Sequence, residues 1–378
     1  MRIRADEEIV RLGIVGIGFI AETYIRLIAE NKVPGCKLCA MSSRNKTHME
    51  TIKTRYQLYD AILFTDYEAM LCSGLIDAVL ICTPHLLHVA MAEMAVQKQI
   101  HALVEKPIGV YADEAEELVK KEGLYPKIIC GVMFNRRASN AYGEIKALVD
   151  AGELGQIRRV NWILTDQYRT PAYYRSKEWR GTWNEEGGGV LMNQAVHHLD
   201  VLNWLFGEPE KLQAFCSYGV DRDIEVENEA VLYMWYPNHM TAQFVASSRE
   251  FPGTNRLEIS GSKGQLILEN EQHLIFRSLS VDERSYAENT DAVWGRIPVE
   301  EKTLDFTCTD GFGLQIEMLC NFVQSIKNQA KIYCPVSEAI GSLNMVHAAY
   351  LSAGERTVVE FPVDNQRFRV FFDEIRKK

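Results

Sequence analysis

The feature that most constrains the fold of this 378-residue chain is the segment Gly13-Ile14-Val15-Gly16-Ile17-Gly18-Phe19-Ile20-Ala21. Gly16, Gly18 and Ala21 stand in a GxGxxA spacing, after the apolar run Val10–Val15 and before a helical pattern reaching about Glu30. Each small residue has its own task at a strand-to-helix turn. Gly16 permits the tight turn, Gly18 lets the backbone approach a pyrophosphate, and Ala21 allows close packing of helix on sheet. The first helical N–H groups, those of Phe19 and Ile20, lack partners within the helix and favour an anion. The motif therefore predicts a dinucleotide contact built from Gly16, Gly18, Phe19 and Ile20. A glycine turn without a ligand is the alternative, and the strand–turn–helix context weighs against it.

The surrounding pattern agrees. Strands are expected at Lys37–Ser42, Ala78–Cys82, His101–Glu105 and Lys127–Val132, with helices at about Lys46–Tyr56, His88–Val96 and Ala112–Glu122. This alternation predicts a parallel, doubly wound sheet over residues 1–130. Beyond 130 the long intervening helices stop. Runs at Arg158–Leu164, Lys211–Ser217, Glu229–Trp235, Met240–Ala246, Arg256–Ser260 and Gln265–Glu269 predict an open, mainly antiparallel sheet. Helices are expected near Tyr142–Ala151, Gly189–Phe206, Gly313–Asn328 and Ser337–Ser352. The fold class is thus α/β, with an N-terminal Rossmann domain (1–130) and a C-terminal α+β domain (131–378).

Charge and composition exclude other classes. The net charge of −10 gains nothing from counterion release, which argues against nucleic acid as a partner. No run of eighteen apolar residues occurs, so no membrane span is expected. The opening stretch is acidic where a signal peptide needs an apolar segment, and nine scattered cysteines suit a reducing compartment, so the expected location is cytoplasmic. No metal site is expected. Cys36 and Cys39 form a CxxC, but on a strand, where positions three apart face opposite sides.

Choice of dinucleotide is read at the end of the second strand. A carboxylate there suits the ribose hydroxyls of NAD. The sequence instead reads Met41-Ser42-Ser43-Arg44-Asn45-Lys46. The hydroxyl of Ser43 and the guanidinium of Arg44 suit a 2′-phosphate, so NADP(H) is favoured over NAD(H).

Three further motifs follow in order: Thr83-Pro84-His85-Leu86-Leu87-His88, then Glu105-Lys106-Pro107, then Gly187-Gly188-Gly189-Val190-Leu191-Met192-Asn193-Gln194-Ala195-Val196-His197-His198-Leu199-Asp200. With the glycine turn, they resemble the TPNxxH, EKP and GGGxLxDxGxHxxD motifs of the glucose–fructose oxidoreductase/inositol dehydrogenase (Gfo/Idh/MocA) family, over nearly the whole chain. The resemblance implies a nicotinamide-dependent oxidoreductase acting on a sugar, sugar derivative or cyclic polyol. It also implies a homodimer or homotetramer formed through the C-terminal sheet. Thr83, Pro84, His88, Glu105 and Lys106 are then expected near the cofactor.

Lys106 follows a buried strand, at the sheet edge where ligands bind in open α/β folds, and desolvation there would suit it to proton transfer. His197 follows Asn193 by four residues on a predicted helix, so both face one way. Lys106, His197 and Asn193 are the expected catalytic residues, and Lys106, Asn193 and His197 are also expected to touch substrate. Arg180 and Trp183 are expected as further substrate contacts, by hydroxyl bonding and stacking. His198 points about 100° away around the helix and is read as structural. Two departures from the family pattern stand out: Asn193 where an Asp is frequent, and His85 where an Asn is usual. A nicotinamide-binding regulator without turnover and a redox-assisted glycosidase remain open alternatives.

Overall fold

The computed structural model of the chain describes residues 9–307 and 311–377. They form two compact units. The first contains the residues up to Asn135 and Gly311–Leu343; the second runs from Arg136 and resumes at Asn344. The sequence reading gives everything after 130 to the second domain. Gly311–Leu343 departs from this, because its helix buries Met318, Leu319, Phe322 and Val323 within the first unit. The N–H of Val132 also donates to the carbonyl of Cys334 (2.9 Å), tying that return segment to the sheet.

In the first unit the order is β1 (Val10–Val15), α1 (Phe19–Ala29), β2 (Cys36–Ser42), α2 (Lys46–Arg55), β3 (Ile62–Phe64), α3 (Tyr67–Cys72), β4 (Ala78–Ile81), α4 (His88–Gln97), β5 (His101–Val104), α5 (Ala112–Glu122) and β6 (Cys130–Val132). The six strands are parallel, in the order β3-β2-β1-β4-β5-β6. Every residue of β4 is buried, as a strand covered on both faces requires. The strand order reverses between β1 and β4. That switch point opens a crevice at the carboxyl ends of the strands, the place where open α/β sheets take their ligands.

In the second unit come α6 (Asn140–Asp150), β7 (Ile157–Leu164), α7 (Pro171–Arg175), α8 (Val190–Asn193), α9 (Val196–Phe206), β8 (Lys211–Tyr218), β9 (Glu227–Trp235), β10 (Thr241–Ser247), β11 (Asn255–Gly261), β12 (Gly264–Glu269), β13 (His273–Leu279), α10 (Glu283–Asn289) and β14 (Val299–Asp305). After α11 (Gly313–Asn328) of the first unit, α12 (Val336–Glu355), β15 (Val359–Glu360) and α13 (Asn365–Ile375) end the chain. The nine strands run β14-β13-β12-β11-β7-β10-β9-β8-β15, and β7 with β10 is the parallel pair. Alternation sets the faces. Val160, Trp162 and Leu164 of β7, Leu232 and Met234 of β9 and Phe244 of β10 are buried. On the opposite face Phe215, Val231, Val245 and Ile163 stand directly across from one another on four neighbouring strands.

One expected helix is two. The carbonyl of Val190 accepts from both Gln194 N (3.1 Å) and Ala195 N (2.7 Å), so one residue is inserted into the turn and α8 stops before α9 begins. Asn193 and His197 therefore do not lie one turn apart on an unbroken helix. What fixes α9 is charge. Asp200 accepts from Arg137 Nε and Nη2, both at 2.8 Å, with the two side chains wholly buried.

Glu271 anchors the same region. With Asn270 it forms the β12–β13 turn, at φ +52° and +59°. Its carboxylate lies 3.0 Å from His198 Nε2 and 2.8 Å from Arg136 Nη1, and accepts from Tyr142 and Asn255 (both 3.3 Å). Burial alone would raise its pKa, but the His198 bond and the Arg136 charge outweigh it and bring the value from 4.5 to about 2. Burial holds the His198 pKa down against the hydrogen bond with Glu271. A lowered carboxylate pKa stabilises the fold above the unfolded value, and that contribution is lost as pH falls toward the folded value. Glu271→Gln should therefore lower stability at neutral pH by about 2–3 kcal/mol. Denaturant titrations should show the gap from the parent closing between pH 4.5 and about 2. A gap independent of pH would contradict the ionised pairing.

Candidate functional site

The turn after β1 is as tight as its sequence demands. Gly16 has φ +83°, and a Cβ there would lie 2.7 Å from the Cys82 carbonyl and from Thr83 N at the end of β4. No side chain fits. Gly18 is the opposite case: its φ is −108°, and a Cβ there would meet nothing within 4 Å. The backbone at Gly18 thus presents an open face beside the N-terminus of α1, as a bound pyrophosphate requires. Phe19 is exposed, Ile20 half-buried and Ala21 fully buried against the sheet.

At the end of β2, Ser42 is buried and Ser43 half-buried. Ser43 Oγ accepts from Asn45 N (3.3 Å), and Asn45 in turn caps α2 by accepting from His48 N (3.0 Å). Arg44 is exposed and makes no hydrogen bond or ion pair among the described residues. A guanidinium is thereby left to solvent beside the crevice edge of the sheet.

The next two motifs are braced by buried polar groups. His88 is fully buried, with Nε2 2.7 Å from the Thr83 carbonyl and Nδ1 2.7 Å from the Pro107 carbonyl. Burial lowers its pKa against both contacts. Glu105 accepts from Tyr24 of α1 and from Lys106 N (3.0 Å), and burial raises its pKa. The expectation that His88 and Glu105 touch the cofactor needs correction. Both are engaged inward, and their task is to hold the Thr83-Pro84 and Lys106-Pro107 loops at the strand ends. Thr83 and Lys106 are half-buried there, and the Lys106–Pro107 peptide is cis.

In the second unit the glycine run exists because nothing larger fits. A Cβ on Gly189 would overlap the Glu227 carbonyl, and one on Gly188 the Tyr350 hydroxyl. Glu227, on β9, accepts from Gly189 N, Leu191 N and Tyr350 OH, each within 2.9 Å, and so caps the start of α8. Full burial raises its pKa to about 7 in spite of those three donors. Motif reasoning missed Glu227. Its only sequence signal is a carboxylate at the start of an apolar strand.

The consequence is a selective exposure. From Val190 to Leu202 every residue is buried except Asn193 and His197, which are half-buried. Asn193 Nδ2 donates to Glu186 and, at 3.4 Å, to Tyr173 OH, which also accepts from Gln194 Nε2 (3.4 Å). Glu186 is buried and accepts from Gly181 N (2.6 Å). Sequence reasoning missed Glu186, Tyr173 and Gln194. Arg180 is half-buried, its guanidinium 3.9 Å from the centre of the Tyr173 ring. Trp183 corrects another expectation. It is 7% exposed and packed edge-on to Tyr350 and Phe372, so its ring is core and offers no stacking platform.

Residues 10–130 match the model of the oxidoreductase family with an NAD-binding Rossmann fold (GFO/IDH/MocA), and residues 142–267 match that of the GFO/IDH/MocA C-terminal domain. The chain is 26% identical over 275 residues to the uncharacterized oxidoreductase YrbE of Bacillus subtilis, covering 69% of this chain and 74% of that protein. It is 23% identical over 353 residues to an inositol 2-dehydrogenase of Rhizobium meliloti, covering 92% and 98%. In fold it is similar to the WlbA dehydrogenase of Bordetella pertussis, solved in complex with NADH and UDP-GlcNAcA. The TM-score is 0.75 at 23% identity, over 94% of this chain and 100% of that one.

The two glycines of the first turn separate folding from binding. Gly18→Val places its side chain in open space, at a φ that valine tolerates. It should leave thermal unfolding nearly unchanged while abolishing dinucleotide binding in a fluorescence titration. Undiminished affinity in the folded variant would remove this turn from the cofactor site.

Proposed function

Because the chain belongs to the GFO/IDH/MocA family of NAD-binding oxidoreductases, we propose that it interconverts a secondary alcohol and the corresponding ketone on a sugar, sugar derivative or cyclic polyol. The observation that carries this reading is the exposure of Asn193 and His197 alone along an otherwise buried helical stretch. A histidine kept accessible there, beside a hydrogen-bonding amide, is equipped to handle a substrate hydroxyl.

Gly16, Gly18, Phe19 and Ile20 would hold the cofactor phosphates, with Thr83 and Pro84 lining the crevice. When bound, nicotinamide supplies the hydride acceptor or donor. His197 takes the hydroxyl proton in oxidation and returns it in reduction. Lys106 polarises the hydroxyl or relays its proton, and Asn193 orients the group. Glu105 and His88 act through the loops they brace.

Arg44 supports a preference for NADP(H), since an unengaged guanidinium at the end of β2 suits a 2′-phosphate. The apolar row Phe215, Val231, Val245 and Ile163 supports a homodimer or homotetramer through the C-terminal sheet. We place the protein in the cytoplasm. No disulfide joins the described cysteines, and no helix among the described residues is long and apolar enough to cross a membrane.

The test is a screen of sugars and cyclic polyols, followed at the absorbance of reduced nicotinamide, with both cofactors. Lys106→Met and His197→Ala should each lower turnover by about 10²–10⁴-fold, with cofactor affinity little changed. Full turnover in either variant would strike that residue from the mechanism. Arg44→Ala should weaken NADP(H) by about 1.5–3 kcal/mol and leave NAD(H) nearly unaffected. Equal losses for both would exclude recognition of a 2′-phosphate.

A further inference from the structure

The second unit keeps a group of bases that the protein itself does not neutralise. Arg11, Arg26, Arg55, Arg136 and Arg137, among others, each pair with a carboxylate. Around α7 several unpaired bases gather. Arg169, Arg175, Lys177, Arg180 and Arg222 form no ion pair among the described residues, in a chain whose net charge is −10. Arg175, Lys177 and Arg180 line one cavity of about 430 Å³, together with Pro171, Tyr174 and the exposed carboxylates Glu178 and Asp223.

Two of these guanidiniums are held at one ring. Arg180 lies 3.9 Å and Arg169 5.2 Å from the centre of Tyr173. Nε and Nη1 of Arg180, and Nε of Arg169, are buried without a hydrogen-bond partner among the described residues. Buried donors of a cation are costly to leave unsatisfied, and an oxyanion is the ligand group a guanidinium binds most strongly. The hydroxyl of the same Tyr173 accepts from Asn193 and Gln194. The bases therefore stand one tyrosine ring away from the amide proposed to orient the reacting hydroxyl.

We propose that Arg180, assisted by Arg169, binds the oxyanion of the substrate, so that the enzyme takes an acidic sugar carrying a carboxylate or phosphate rather than a neutral one. This rests on the oxidoreductase reading above and narrows its substrate class. Tyr173 is the rigid spacer: its ring carries the guanidiniums and its hydroxyl meets the reaction-side amides. Glu178 and Asp223, exposed in the cavity lining, disfavour a second anionic group there.

The experiment is calorimetric titration of the full chain with bound nicotinamide cofactor, using matched pairs of sugars: glucose with glucuronate and glucose 6-phosphate, galactose with galacturonate. Inorganic phosphate is titrated alongside. A charged member should bind at least about tenfold more tightly than its neutral partner, as loss or gain of one charged hydrogen bond implies, and the preference should weaken with added salt. The uronate and phosphate arms tell the two oxyanions apart. Arg180→Gln should erase the preference, Arg169→Gln should reduce it, and Arg158→Gln, on a remote strand, should keep it. Equal binding within every pair, no binding by any charged member, or a preference that survives Arg180→Gln would overturn the inference. So would inorganic phosphate binding as tightly as the sugar phosphate, since that denotes an anion site without sugar recognition. Charge-blind turnover of neutral sugars would leave the oxidoreductase reading standing while this one fell. Charge-selective binding dependent on Arg180, without turnover, would do the reverse.

Discussion

A carboxylate taken out of water must find donors or lose its charge, and that requirement shapes the functional corners of both units. In the first unit the carboxylate is Glu105. Its partners are a helix hydroxyl, Tyr24, and the N–H of Lys106, so the glycine-turn helix and the lysine loop meet at one group. In the second it is Glu227, which gathers Gly189 N, Leu191 N and the Tyr350 hydroxyl. The approach is close enough that Gly188 and Gly189 can carry no side chain. The glycine motif is thus the steric imprint of the β9 backbone at Glu227 and of the Tyr350 hydroxyl. Asp200 with Arg137, and Glu271 with Arg136 and His198, apply the same rule to the framework behind it. Each of these carboxylates is held by donors from another part of the chain, so the pairing ties those parts together.

The first unit was legible in the sequence because its signals are local. A buried parallel strand is a short apolar run, its helix an amphipathic one, and the turn at Gly16 carries its own glycine signal although what forbids a side chain there is the end of β4, the neighbouring strand in the sheet. The strands that escaped include β13, seven residues long and mostly half-buried, and two that are short or exposed. β3 has three residues, with Ile62 exposed, and β14 is exposed along its length, so neither shows an apolar run or a clean alternation. The return of Gly311–Leu343 to the first unit was also hidden. The helix at Gly313–Asn328 is readable from its periodicity, but periodicity says which face is buried and not against what.

The site was legible at its motifs and illegible at their supports. Asn193 and His197 were found from spacing, yet the spacing argument assumed an unbroken helix. The extra residue accommodated at Val190 overturns that assumption, and what keeps both residues accessible is the burial of all their neighbours. Trp183 was misread for a reason of the same kind. An aromatic beside arginines has the composition of a sugar platform, but composition cannot tell an exposed ring from one enclosed by Tyr350 and Phe372. Glu186, Glu227 and Tyr173 carry no motif at all. Their importance lies in partners 5 to 123 positions away in the chain.

Residue 193 shows why those supports matter for chemistry. Read alone, Asn193 in place of the family's frequent Asp removes a negative charge from the histidine's surroundings. Read with its partner, it carries a carboxylate of its own. Asn193 Nδ2 donates to the buried carboxylate of Glu186, whose other oxygen is held by Gly181 N. An Asp at 193 would set two carboxylates against each other in a buried place, where both cannot remain ionised. An amide instead donates to Glu186, and the hydrogen bonds from Asn193 and Gln194 to Tyr173 then orient that ring as well. The departure from the family pattern therefore moves the carboxylate one hydrogen bond along without deleting it. The amide at 193 and the acid at 186 are a single device, and neither residue's role can be assigned without the other.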